Sequence, residues 1–249
     1  MFNLMTAESY RLRHKRALHL VMSISAILIV LAAIVIAYFG HTDKSFPYFR
    51  MDFYFMSAVG INIATVLVIY FFGVSLLTTT DYQMISHAIA FGQSRENIFM
   101  SKLAISLFYF VLFCIVSMIE MFFVSAIIFP DFDETWLVTL KAIFNIMPIF
   151  LAIFCVSFSL AILRINYLIT IIVLMFLFLL SEKLTYMLSK TSEIFEYIHQ
   201  YTPGQLYLNN LAGYYNRDLT IDFSYWLVGG ICVCLFLIVS FIKFKKKEF

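Results

Sequence analysis

The chain has 249 residues, of which 63% are hydrophobic and only 13% charged, and its formal net charge is +2. Soluble domains hold about 45–50% apolar and about 25% charged residues, so this is the composition of an integral membrane protein. The longest polar interval, Ser181 to Ser224, is too short to hold a core of its own without staples, which excludes a soluble catalytic domain.

Met1 to Arg16 is polar and basic. On a helix, Glu8, Arg11 and Lys15 share one face, with Phe2, Met5 and Leu12 roughly opposite. That pattern predicts a helix lying in the membrane surface, the alternative being a disordered basic tail. Ala17 to Phe39 follows as an apolar run longer than a secretory signal core, with no clear small-x-small cleavage site, and reads as the first span. The same length argument places further spans at Phe53 to Leu77, Lys102 to Phe129, Trp136 to Leu163, Tyr167 to Leu184 and Tyr225 to Ile242. The expected fold is all-α, a single polytopic membrane domain over residues 1–249 with six transmembrane helices.

The connection after the second span, Thr80 to Lys102, carries the most information. Thr80 and Gln83 have the spacing of a capping box, and Met84, Ile85, Ala88 and Ile89 form an apolar stripe. Gly92 can take the left-handed conformation that ends a helix. Ser94 can cap a new helix with Glu96 and Asn97 in its first turn, and Ile98 and Phe99 lead into the third span. Arg95 and Lys102 are expected to hold the start of that span at the headgroups. A short surface helix hinged to a spanning helix is a part that another protein can push.

Within the third span, Glu120 is the one deep acid, about nine residues or roughly 13 Å from the far end by helix rise. A carboxylate at that depth faces protein or a wet cavity. Ser106, Tyr109, Phe113, Ser117 and Glu120 share one face and form a candidate translocation path. An interhelical hydrogen bond from Glu120 to Asn62 or Asn145 is the packing alternative. Between spans five and six, Ser192 and Phe195 to Tyr201 predict a short helix, and Pro203 with Gly204 a turn. Leu206, Tyr207, Leu208 and Leu211 are too apolar for a solvated loop, so a cover over the bundle or a dip into the headgroups is expected there.

Orientation follows from Lys and Arg. With the termini inside, eleven fall on the cytosolic side (Arg11, Arg13, Lys15, Arg16, Arg95, Lys102, Arg164, Lys243, Lys245, Lys246, Lys247) and six outside (Lys44, Arg50, Lys141, Lys183, Lys190, Arg217). That asymmetry predicts both termini in the cytosol. Catalytic patterns are missing from the sequence. It has no H-E-x-x-H, no intramembrane Asp pair, and no G-x-x-x-x-G-K-[ST] with which to bind ATP. Cys232 and Cys234, two apart on a helix, point to different faces and predict no shared metal.

The basic N-terminal helix, the six spans, the segment A-F-G-Q-S-R-E-N-I-F-M-S-K from Ala90 to Lys102 and the Pro-containing segment before span six together resemble an ABC-2-type transporter permease. In that family the residues after span two resemble G-x-S-R, an aliphatic or aromatic pair and a Lys, here Gly92, Ser94, Arg95, Ile98, Phe99 and Lys102. The resemblance implies an N-terminal elbow helix, a cytosolic coupling helix that includes Met84, Ile85, Ala88 and Ile89, and outer short helices between spans five and six. It also implies a second permease subunit, homo- or heterodimeric, and a separate nucleotide-binding ATPase that holds the ATP and Mg, with no cofactor on this chain and no nucleic-acid partner. Permeases of this size are similar to those that export or expel bacteriocins, lantibiotics and other amphipathic peptides from the plasma membrane. A non-transport membrane protein, an assembly factor or an embedded enzyme, is the alternative.

Overall fold

A computed structural model describes residues 2–43, 45–59, 63–77 and 79–247, and the regular elements among them are all helical. In chain order they are α1 (Phe2–Arg13), α2 (Arg16–Thr42), α3 (Met51–Val59), α4 (Ile63–Ser75), α5 (Thr79–Ala90), α6 (Arg95–Ile128) and α7 (Phe132–Ile162). Then come α8 (Tyr167–Met175), a π-helical turn (Phe176–Leu180), α9 (Ser181–Ser189), α10 (Glu193–Gln200), α11 (Pro203–Tyr215) and α12 (Ser224–Lys246). Among the described residues, five continuous helices are long and apolar enough to cross a bilayer: α2, α6, α7, the α8–α9 run and α12. The chain is a multi-pass membrane protein.

The second expected span is described only in part. Phe53 to Leu77 is described as two helical pieces, α3 and α4, on either side of residues 60–62, which lie outside the described residues. With 9 and 13 residues, neither reaches the roughly 30 Å of a hydrocarbon core at about 1.5 Å per residue. The stretch still runs from one end of the bundle to the other. At one end, the crown, Met51 N donates to Asp131 Oδ1 in the α6–α7 turn at 2.9 Å. At the other, the base, Arg11 Nη2 reaches Leu76 O at 3.3 Å.

α7 is the hub, buried on most of its circumference, and lies against α4, α6, α11 and α12. In lipid, helices gain little from hiding apolar surface, so close packing and interhelical hydrogen bonds must hold them. Both are present. Phe110 of α6 stacks on Phe154 of α7 at 4.3 Å, and Phe72 of α4 stacks on Phe113 of α6 at 4.8 Å. Ser240 of α12 donates to Ser159 of α7 at 3.2 Å. The backbones of α7 and α12 touch at Gly229, where a Cβ would fall 2.6 Å from Pro148 O, so only glycine fits without moving a helix.

The apolar segment before the last span is helical and folds over the crown. Pro203 and Gly204, expected as a turn, instead open α11, because Thr202 caps it and proline is tolerated in a first helical turn. Leu206, Asn210 and Tyr214, spaced four apart, turn inward and are buried. Leu208 stays largely exposed, and so do Ile194 and Tyr197 of α10. Asn210 Nδ2 donates to Ala142 O at 3.3 Å and Tyr225 OH to Leu206 O at 2.8 Å, fastening α11 to α7 and α12.

Candidate functional site

The corner between α5 and α6 is built from local rules. Gly92, at φ +82°, follows the end of α5, with Gly92 N bonded to Ile89 O (2.9 Å) and Gln93 N to Ala88 O (3.0 Å), the paired closing bonds of a Schellman end. Ser94 Oγ then accepts from Asn97 N at 3.3 Å and caps α6. The Thr80 side chain of the expected capping box lies outside the described residues, as does Asn62.

The apolar stripe on α5 is not free. Ile85 is 1% exposed, and Ala88 and Ile89 pack beside it against the core. Ile85 and Ala88 share a small gap with Leu4 of α1 and with Ile98 and Ser101 of α6. The stripe thus holds α5 on the bundle. The face turned outward carries Gln83, Met84, His87 and, past the helix end, Phe91, which is 86% exposed.

The two cations assigned to the headgroups are engaged elsewhere. Lys102 is buried, and its Nζ is paired with Glu8 of α1. The reason is that α1 folds across the base of α6, and a cation removed from water requires an anion beside it. Glu8 also holds Arg11 at 2.6 Å, and Lys15 approaches the same cluster. Burial, reinforced by Arg11 and Lys102 and only partly opposed by Glu8, lowers the Lys15 ammonium to about 7. Arg95 Nη1 donates to Lys245 O at 2.9 Å and to Lys247 O, satisfying end carbonyls of α12, while Lys245 pairs with Glu96 at 2.5 Å. Lys247 Nζ reaches Leu163 O after α7, so the base ties α1, α4, α6, α7 and α12 together.

The α6 stripe is divided among different neighbours. Ser106 is buried, Tyr109 OH donates to Ser9 O of α1 at 3.3 Å, and Phe113 stacks in the core. Phe113 and Ser117 line a cavity of about 600 Å³ enclosed by α2, α3, α4, α6 and α7. Glu120 is half-buried and has no ion pair or hydrogen bond among the described residues. Asn145 is not its partner: Nδ2 donates to Asn210 Oδ1 (3.1 Å) and Thr220 O (3.0 Å), and Oδ1 accepts from Asp222 N (3.3 Å). Among the described residues, no three His, Cys, Asp or Glu side chains gather as a metal site.

No family model, curated protein or solved structure matches the chain. The geometry of the base corner and of the cavity therefore carries the functional reading. Sequence reasoning missed the Glu8–Lys102 pair, although an acid on the first helix and a basic residue at the inner start of span three were both in view. It also missed Phe91, whose signal was an aromatic side chain beside a helix-ending glycine.

Proposed function

We propose that the chain is the membrane-spanning permease subunit of an ABC-2-type exporter, driven by a separate ATPase that binds ATP and Mg. In this reading the bundle crosses the plasma membrane six times, α3 and α4 jointly making the second crossing, with the base in the cytosol and a second permease subunit alongside. The cargo is an amphipathic or hydrophobic molecule, a peptide foremost, as in bacteriocin export or immunity. The observation that carries the reading is the α5–α6 corner. α5 is clamped to the bundle through Ile85, presents Met84, His87 and Phe91 outward, and joins through a two-bond Schellman end to a 34-residue helix. Such a corner can pass a push at α5 directly along α6. The test is whether a P-loop ATPase co-purifies with the chain, in wild type and in Met84→Asp with Phe91→Asp. Loss of the ATPase and of export together, with the permease still folded, is the expected result. Retention of both would end the reading.

A further inference from the structure

The 600 Å³ cavity lies at mid-height in the bundle. Its α2 wall, Ser25 to Ile36, begins nine residues into that helix, about 14 Å from the base by helix rise, and ends about 30 Å from it. At that depth the surroundings are hydrocarbon, not water. Part of the wall also faces outward: Leu28, Leu31 and Val35 of α2 and Ile115 of α6 line the cavity yet are 44–50% exposed. The mouth is therefore continuous with the surface that the acyl chains of the bilayer touch.

The lining chemistry narrows the occupant further. Among the described residues, no Asp, Glu, Lys, Arg or His lines the space. Of the four lining hydroxyls, Ser25, Ser57, Thr65 and Ser117, Ser25 Oγ donates back to Met22 O at 2.8 Å and Ser57 Oγ to Tyr54 O at 2.8 Å, so these two are already satisfied within their own helices. A peptide entering here would bring backbone N–H and C=O groups to walls that offer them little, which is costly in a dry site. An apolar cavity of about 150 Å³ holds one benzene, and about four times that volume accommodates a long chain, within the ordinary range of ligand pockets.

We propose that this cavity binds one uncharged hydrocarbon chain, the acyl chain of a membrane lipid, which enters sideways from the bilayer between α2 and α6. The site does not depend on the transport reading. It is a lipid seat inside the bundle, and the peptide cargo of an exporter would not use it.

The probe is a phosphatidylcholine carrying a diazirine in mid-chain, doped into vesicles of phosphatidylethanolamine and phosphatidylglycerol that contain the purified full chain. After illumination, mass spectrometry should find Ala32, Ser117 and Met118 labelled several-fold more heavily than Phe123 and Ile127, which face outward beyond the cavity. Ala32→Phe and Ser117→Phe, made separately, should each remove most of the cavity label and leave the outer label unchanged. Because either substitution can disturb packing, the wild-type protein is also challenged with hexadecane, which should displace the cavity label alone. Equal labelling of cavity and outer positions overturns the proposal. So does a cavity label that hexadecane cannot displace, or cross-linking that shows a helix of a second copy filling the groove.

Discussion

At the base, polar groups are paired through charge. Glu8, Arg11, Lys15 and Lys102 meet in one corner, and Arg95 closes the end of α12. At the crown much of the buried pairing is neutral. Asn145 and Asn210 bond each other, and Thr139 shares a 2.8 Å hydrogen bond with the Tyr214 hydroxyl, which burial pushes above its ordinary range. Of the crown's ion pairs, Arg217 with Glu134 at 3.0 Å is exposed and contributes little, whereas Arg50 meets the largely buried carboxylate of Asp52 at 2.9 Å. Three cations surround one carboxylate at the base. Its cohesion therefore rests on a single acid, whereas the crown spreads its bonds over neutral pairs and two separate carboxylates, Asp52 and Asp131. One charge change at the base reaches the whole cluster.

The largest expected effect breaks that acid. Glu8→Gln leaves Lys102, Arg11 and Lys15 crowded without their anion and should cost about 3–5 kcal/mol, as removal of one partner of a buried pair does. The double variant Glu8→Gln with Lys102→Met should recover most of the loss. Thermal unfolding in detergent reads both, and an unchanged midpoint for Glu8→Gln would show that the base is not held by this charge.

Asn145→Leu makes the matching cut at the crown. It leaves Asn210 Oδ1 and Asp222 N short of their partner, at about 1–3 kcal/mol for each group that water cannot reach. The loss should be the same across neutral and alkaline pH, since none of these groups titrates there. A loss that varied with pH would blur the contrast between the two ends.

How much of this was legible in the sequence depends on whether the cause is local. Apolar run length located the long helices, and Ser94 and Gly92 act through neighbours within a few residues, so the α5–α6 corner could be read from its own segment, whereas Pro203 and Gly204 read as a turn and not as the start of α11. The direction of the α5 stripe was hidden. Periodicity shows that Ile85 and Ile89 share a face, but only the fold of α1 across α6 decides what covers it. Glu8 and Lys102 lie 94 positions apart, and no spacing rule links them.

The third effect is smaller and has a direction set by Lys15. Its folded value of about 7 lies below the ordinary 10.5, so between those two values the unfolded chain holds a proton that the folded chain lacks. Stability of the base should rise with pH across that window and stop changing below about 7, where both forms are protonated. Lys15→Met should flatten the slope, and Asn145→Leu should leave it in place. A slope unaffected by Lys15→Met would assign the titration to another group.

The smallest effect on stability is expected at Phe91, and it bears most directly on function. The side chain is 86% exposed, so Phe91→Asp should shift stability by no more than about 0.5 kcal/mol. Ile85→Asp is not an equivalent probe. Ile85 is 1% exposed against α1 and α6, and a carboxylate there would detach α5 from the bundle and abolish any partner contact for a trivial reason. Phe91 separates the two ends of the molecule cleanly, because it lies at the base yet takes no part in the charge network that holds the base together. If the exposed face of the corner receives the ATPase, Phe91→Asp should release that subunit and stop export while the melting midpoint stays put. Phe91→Tyr, which keeps the ring, should restore both. Export that survives Phe91→Asp with the ATPase still bound would mean that the outward face of α5 is not where force enters the bundle.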